Sequence, residues 1–353
     1  MTLKIGLIGA GRMMQMAHLP SLLQIGGVQS VAIADVDLEL AQQVAAAYNI
    51  PQVYESSEAL VAGEPELDGV VIATPRMHHA VTCLPVLERG VPVFMEKPLE
   101  VTLEKGREIV EARQRSGAIM VIGYNNRYCP AYLAAEAVLR SGELGDLRYA
   151  QIHSFGGLWR AGAKTLGEIS LDEEPQPPGS PPKGQSRDGK TYPAELEWVE
   201  GWIHEVNMAR GLFGEAKSVL YASNDMPRLA LVEFERTRAL FEVGLMNPPG
   251  SPFDCTIAVH CRDGRLDLSL AAPLLFRQPT ELKISTPSGV TIPHLEYKES
   301  FVEGLVHFLR CITGRDQPRT TAEDALRDLE LCFEIVETGR AWLYSNAARK
   351  KWK

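Results

Sequence analysis

The sequence predicts an α/β protein: an N-terminal doubly wound parallel sheet, then a C-terminal α/β domain with a large, mostly antiparallel open sheet. Two textures along the chain predict it. Residues 1–122 alternate short, near-continuous apolar runs with helical patterns, which is the mark of parallel strands covered on both faces. Right-handed crossovers then give the doubly wound arrangement. From about residue 125 the strand-like segments alternate apolar and polar residues at short spacing, as antiparallel strands do. A chain of 353 residues is too long for one ordinary core. The predicted domains are 1–122 and 123–353.

The apolar runs of the first domain are Leu3–Ile8, Val31–Ala34, Val70–Ala73, Val91–Met95 and Met120–Ile122. In the second, a helical stretch near 131–141 precedes a strand over 147–156. Further strands are expected at Ser218–Ala222, Ala230–Glu235, Ala239–Met246, Thr256–Cys261 and Arg265–Leu270. Arg262-Asp263-Gly264-Arg265 is a hairpin turn signal between the last two. Two helical patterns, roughly 298–313 and 321–344, close the chain. A long loop is expected across 157–195, because residues 175–193 hold six prolines and little apolar content. Loops of that length serve as functional lids or are disordered.

The net charge of −9 disfavours nucleic acid and anionic membrane as partners. No apolar stretch approaches the length of a bilayer span. The first residues run directly into a strand pattern, without an apolar signal region. The six cysteines are scattered with no C-x-x-C pair, which reads as reduced thiols in a cytoplasmic protein without a metal site.

The first strand runs into Gly9-Ala10-Gly11 just before a helical pattern. Gly9 permits a tight turn, and a bare Gly11 lets a pyrophosphate approach the backbone and the helix N-terminus. Arg12 and Met13 follow at the helix start and join the expected cofactor-binding set. Met14 stands where the usual third glycine would be, so helix and strand must pack further apart. Asp35, at the end of the second strand and 24 residues after Gly11, can accept hydrogen bonds from an adenosine ribose diol. Val36-Asp37-Leu38-Glu39 follow without Arg or Lys. A 2′-phosphate would meet negative charge there, so NAD is favoured over NADP.

Ligands of open α/β sheets sit at the carboxyl ends of strands. Two such ends carry notable groups, Ala73-Thr74-Pro75 and Glu96-Lys97-Pro98. An ammonium at Lys97 would hydrogen-bond a substrate hydroxyl and favour its alkoxide. The alternative is a solvated lysine opening a loop.

The blocks GLIGAGRMMQMAHLP, DGVVIATP, VFMEKPLE, GYNNRYCPAY and TAEDALRDLELCFEIVETGR lie in order across almost the whole chain. Together they resemble the family of glucose–fructose oxidoreductase, inositol 2-dehydrogenase and MocA (Gfo/Idh/MocA). The resemblance implies a Rossmann domain joined to an α/β domain with a large open sheet. It implies that Lys97 is catalytic and that the Lys97–Pro98 bond is cis. It also implies that His204 is the acid/base histidine, with Glu200 in place of the family's usual aspartate. Glu200, His204 and Asn207 stand at i, i+4 and i+7, one face of a regular helix. The glycine pair that often precedes this motif is replaced by Pro193-Ala194-Glu195-Leu196-Glu197-Trp198.

Asn126 and Arg127 match the family's N-R pair, Arg127 as a substrate ligand or a structural ion pair, Asn126 beside the cofactor. His79 fits a family histidine near the cofactor, with Thr74, Pro75 and Glu96 beside it. His78 and His79 are not spaced as a metal pair on one helix face, and zinc is rejected. Trp159, Arg160, Lys164, Tyr192, Trp198 and Trp202 gather around the proline-rich segment; aromatic faces with cations suit a sugar ring, and buried tryptophans are the alternative.

The expected function is NAD-dependent oxidation or reduction of a secondary hydroxyl of a sugar, cyclitol or related polyol. In it, Lys97 polarises the hydroxyl and His204 takes its proton, while Glu200, Asn207, Arg127 and Trp159 hold the ring. The competing expectations are a redox-neutral epimerase, lyase or glycosidase acting by transient oxidation, and a NAD-bound regulator without turnover. A homodimer or homotetramer is expected.

Overall fold

A computed structural model describes residues 2–157, 197–244, 253–274 and 278–350, with the side chains of 343–350 left aside. Trp159, Arg160, Lys164, Tyr192 and the proline-rich segment 175–193 lie outside the described residues. The described chain divides into two compact units that are not consecutive in sequence. The first joins the residues up to Tyr124 with Phe301–Leu329; the second runs from Asn125 to Ser300 and resumes at Glu330.

The first unit is built on a parallel six-stranded sheet of order β3-β2-β1-β4-β5-β6. Its strands are β1 (Leu3–Ile8), β2 (Val28–Ala34), β3 (Gln52–Tyr54), β4 (Gly69–Ile72), β5 (Val93–Glu96) and β6 (Met120–Gly123). Strands β4, β5 and β6 are buried along their whole length, which is why they read as unbroken apolar runs. The order reverses between β1 and β4, so their carboxyl ends form the crevice where ligands of such sheets lie. Strand β3 is a three-residue edge strand with no buried residue, too short and too polar to show a pattern.

Part of this core comes from the far end of the chain. Leu305, Phe308 and Leu309, on the helix Ser300–Ile312, share a buried cluster with Ile5, Leu7, Val71, Phe94 and Val121. A methyl group at Gly69 on β4 would lie 2.8 Å from Ile312 and 3.0 Å from Phe308, so glycine admits this helix against the sheet. Thr320 brackets Ile122 on β6, accepting its N–H at 2.8 Å and donating its hydroxyl to its carbonyl at 2.7 Å.

The second unit carries an eight-stranded sheet of order β14-β13-β12-β11-β7-β10-β9-β8. Strand β7 (Leu147–Gly156) is central, parallel to β10 (Arg238–Val243) and antiparallel to β11 (Asp254–Cys261). Strand β9 (Arg228–Phe234) alternates buried and half-buried residues throughout, the period-2 signature of a sheet with one packed face. The remaining strands are β8 (Ala216–Ser223), β12 (Arg265–Ser269), β13 (Glu281–Thr286) and β14 (Gly289–Thr291). Two helices of this unit, Pro130–Ser141 and Ile203–Phe213, meet where the Tyr132 hydroxyl donates to the Met208 carbonyl at 3.3 Å.

Candidate functional site

In the first unit the glycine turn follows β1 directly. Gly9 has φ +92°, and a Cβ there would fall 2.6 Å from the Ala73 carbonyl oxygen. Only glycine fits between the ends of β1 and β4. At Gly11 a Cβ would meet nothing within 4 Å, so the turn is open on that side to an incoming group. A continuous helical stretch, 12–22, starts there, and Gln15 donates its N–H to the Gly11 carbonyl at 3.2 Å. The first turn of a helix leaves N–H groups without internal partners, a fitting cradle for a pyrophosphate. Residues Met14–His18 of this stretch are π-helical. Met14, in the third-glycine position, is fully buried, while Arg12 and Met13 stay half-exposed.

Asp35 ends β2 and braces the turn. Its Oδ2 accepts the Ala10 N–H at 2.6 Å and its Oδ1 the Asp37 N–H at 2.9 Å. It remains half-exposed, so its outer lone pairs are available to a ribose diol.

At the end of β5, the run Val93–Glu100 is buried at every residue except Lys97, which keeps partial exposure. The Lys97–Pro98 peptide is cis. Glu96 is buried; its Oε1 faces His18 Nε2 at 2.8 Å and its Oε2 accepts the Lys97 N–H at 3.1 Å. His79 is buried as well, with Nδ1 2.7 Å from the Pro98 carbonyl oxygen and Nε2 3.1 Å from that of Thr74. Burial pushes the His79 imidazole below its ordinary pKa, against the pull of the two carbonyls. Thr74 also meets Thr82, with 3.2 Å between hydroxyl oxygens, and Pro75 is exposed at the crevice. Thus Gly9, Asp35, Thr74, His79, Glu96 and Lys97 are all held at the carboxyl ends of β1, β2, β4 and β5. His79 and Glu96 act there as internal braces, since their polar atoms face protein groups.

Two contributors escaped the sequence reading. His18 lies in an apolar helix, and its partner Glu96 is 78 positions away. Glu100, inside the quoted block VFMEKPLE, accepts the Ala80 N–H at 3.0 Å at the start of the helix His79–Glu88. Burial raises its pKa.

In the second unit, residues Trp198–Trp202 are π-helical and run into the helix Ile203–Phe213. From Trp198 to Arg210, only Glu200, Gly201 and His204 are not buried. Glu200 and His204 are thus both on the half-exposed side, although Glu200 Oε1 and His204 Nδ1 are themselves buried. Asn207 does not join them: it is fully buried, and its Oδ1 accepts from Arg127 Nη1 at 3.1 Å.

Arg127 is itself buried, 3.8 Å from Glu136 and with its guanidinium 5.2 Å from the centre of the Tyr132 ring. These contacts hold two helices together, which is the structural alternative given for Arg127, and Asn207 is its partner there. Gly211 makes room for the guanidinium, since a Cβ there would lie 2.5 Å from Arg127 Cζ. Asn126 is also buried, its Oδ1 accepting from Asn125 at 3.2 Å. Trp198 and Trp202 are core residues in a T-shaped pair 5.6 Å apart, so neither offers a face to a sugar.

Among the described residues no group of three or more His, Cys, Asp or Glu side chains is placed to hold a metal ion. No described helix is long and apolar enough to cross a membrane. None of the six cysteines forms a disulfide.

Comparison with known proteins gives three kinds of likeness. The Gfo/Idh/MocA family model, described as an oxidoreductase family with an NAD-binding Rossmann fold, matches residues 3–124. The inositol 2-dehydrogenase of Pseudomonas savastanoi pv. phaseolicola is 36% identical over 269 residues, covering 75% of this chain and 70% of that one. The inositol 2-dehydrogenase 4 of Saccharopolyspora erythraea is 37% identical over 145 residues, and there the match spans 40% of this chain and less than half, 42%, of the relative. Among solved structures, an oxidoreductase from Agrobacterium radiobacter in complex with NAD+, L-tartaric acid and magnesium has a TM-score of 0.75, covering 96% of this chain and 97% of that one at 19% identity. At that identity the likeness is one of fold.

Proposed function

The chain belongs to the Gfo/Idh/MocA family of oxidoreductases, and on that premise we propose that it oxidises a secondary hydroxyl of a cyclitol, sugar or related polyol with NAD. The observation that carries the proposal is the isolated partial exposure of Lys97 in the otherwise buried run Val93–Glu100. A buried segment that leaves only its lysine partly exposed, between the buried Glu96 and Pro98, is suited to present that side chain to a ligand.

Bound NAD supplies the hydride acceptor, and the chain supplies position and field. The open turn at Gly11 and the helix that follows receive the pyrophosphate. Asp35 receives the ribose diol, and its charge, with Asp37 and Glu39 nearby in sequence, opposes a 2′-phosphate. Lys97 donates a hydrogen bond to the substrate hydroxyl and stabilises the negative charge that develops on its oxygen. His204 takes the hydroxyl proton near neutral pH, which suits an imidazole. Glu200 shares the half-exposed side with His204 and either orients the imidazole or binds a ring hydroxyl. Arg127 and Asn207 keep that helix in place.

Relatives that carry the name inositol 2-dehydrogenase make myo-inositol the first substrate to assay. The test is NADH formation over a panel of cyclitols and sugars, with NAD and NADP in parallel, in wild type and Lys97→Met. Turnover restricted to NAD and lost in the variant supports the proposal; undiminished turnover in Lys97→Met overturns it.

A second reading draws on Glu200, which stands where the family has aspartate. Transient oxidation next to a C–O bond acidifies the neighbouring C–H, so such a site can also epimerise or eliminate without net redox change. Conversion of a polyol without accumulation of NADH would favour that reading.

A further inference from the structure

We propose that His18 and His79 are positioning residues that hold the Lys97–Pro98 turn from its two ends, His18 through Glu96 and His79 at the Pro98 carbonyl. The proposal rests on the reading of Lys97 as the group that meets the substrate.

The first end is a relay of two hydrogen bonds through one carboxylate. His18 Nε2 lies 2.8 Å from Glu96 Oε1, and Glu96 Oε2 accepts the Lys97 N–H at 3.1 Å. Rotation of the carboxylate breaks both bonds at once, so whatever fixes Glu96 fixes the start of the turn. His18 is fully buried, and its ring meets Phe94 and Phe301 edge-on at 5.6 and 5.8 Å. Its Nδ1 has no hydrogen-bond partner. A neutral ring has one N–H, and placing it on Nε2 directs it to Glu96 and leaves only a lone pair unsatisfied at Nδ1.

The second end is a direct staple. Both His79 ring nitrogens face carbonyl oxygens, Pro98 at 2.7 Å and Thr74 at 3.1 Å. Carbonyls only accept, so the single proton of a neutral ring belongs on Nδ1, at the shorter contact. His79 also opens the helix whose Ala80 N–H is accepted by Glu100 at 3.0 Å. The segment Glu96–Glu100 is thereby tied to the end of β4 and to the following helix, with Lys97 between the ties.

The chemistry predicts a reciprocal pattern of substitutions. The amide nitrogen of Gln overlays histidine Nε2, and that of Asn overlays Nδ1. His18→Gln therefore keeps its donor and His18→Asn loses it; His79→Asn keeps its donor and His79→Gln loses it. All four variants are polar and similar in volume, so a merely structural role does not predict the reciprocity.

The primary readout needs no substrate. Competitive acetylation of the intact protein, quantified at Lys97 by mass spectrometry against the other lysines, reports the setting of that ammonium. We expect His18→Asn and His79→Gln to change Lys97 labelling by about threefold or more, while His18→Gln and His79→Asn stay near wild type; displacements of the ammonium by about 1 Å would also lower kcat by about 10- to 100-fold, with NAD affinity retained. Equal labelling within each pair overturns the proposal. So does failure of His18→Gln or His79→Asn to fold, because the donor would then not be what the position requires. Failure of the underlying reading looks different: Lys97→Met would turn over myo-inositol undiminished while the labelling pattern held.

Discussion

Asp35 receives the Ala10 N–H on its Oδ2 at 2.6 Å. One carboxylate thus braces the glycine turn and, in the proposed function, also carries the charge that favours NAD. Asp35→Asn keeps an acceptor for Ala10 and removes the charge. The Asp37 N–H, accepted by the other carboxylate oxygen, then faces an amide NH2, so we expect a lower melting temperature together with a fall of about tenfold, or about 1.4 kcal/mol, in the preference for NAD over NADP. The ratio of dissociation constants for the two cofactors, measured by calorimetry, checks it; an unchanged ratio would mean that Asp35 only shapes the turn.

The two glycines of that turn separate folding from binding. Gly9→Ala combines φ +92° with a contact of 2.6 Å to the Ala73 carbonyl oxygen, and strain of this kind costs on the order of 1–3 kcal/mol. Gly11→Ala meets nothing within 4 Å, so stability should hold to about 0.5 kcal/mol. Its methyl group faces the pyrophosphate, and NAD affinity should drop about tenfold or more. Urea denaturation and NAD titration on both variants test the pair, and a stability loss in Gly11→Ala matching that in Gly9→Ala would argue against the assignment.

Arg127 has two proposed roles, substrate ligand or structural ion pair, and stability separates them. Its guanidinium is buried against Asn207, Glu136 and Tyr132, and removing one partner from a buried charged cluster costs about 3–5 kcal/mol. Arg127→Met should lower the unfolding free energy of the second unit by about that amount. A variant with unchanged stability and a raised polyol KM would assign Arg127 to the substrate.

His79 predicts part of the acid sensitivity. Its folded pKa is depressed from the ordinary 6.5, with burial the largest cause. As pH falls below that value, the unfolded chain binds a proton that the folded one resists, so stability drops until the folded pKa is passed. His307 is also depressed by burial and has the same sign. Glu100, raised by burial from the ordinary 4.5, has the opposite sign, but it is common to wild type and variant. His79→Asn should therefore flatten the stability–pH curve below pH 6.5. Denaturation of both proteins at pH 7.5 and 5.5 measures the difference, and parallel curves would contradict it.

The parts of this molecule that could be read from the sequence are those whose causes are local. Strand β1 appears as Leu3–Ile8, as the apolar run predicts, because its second part, Ile5–Ile8, is buried at every residue and leaves a continuous signature. Gly9, Gly11 and Asp35 announce themselves by order and spacing. Strand β3 has three residues and no buried side chain, so there is no pattern to find. The edge strand β14 and its neighbour β13 leave little pattern for a related reason: Gly289–Thr291 is wholly exposed and β13 buries only one residue.

Longer-range causes stay hidden. His18 finds its partner 78 positions away, and Arg127 finds Asn207 80 positions away. Spacing at i, i+4 and i+7 placed Asn207 with Glu200 and His204, but spacing does not state burial, and Asn207 is fully buried while Glu200 and His204 are half-exposed. The helix Ser300–Ile312 completes the core of the first unit, and no local pattern states which sheet an amphipathic helix covers.

The central claim is that Lys97 and His204 act on the same substrate hydroxyl, and a double-mutant cycle on the hydride-transfer rate tests it most directly. Lys97→Met, His204→Gln and the double variant are compared with wild type in single-turnover NADH formation, with NAD affinity checked in each. If both groups serve one proton-and-charge event, the double variant should be about as slow as the slower single variant, because groups that act as a unit are non-additive. Multiplying losses would contradict the claim, as would full activity in either single variant.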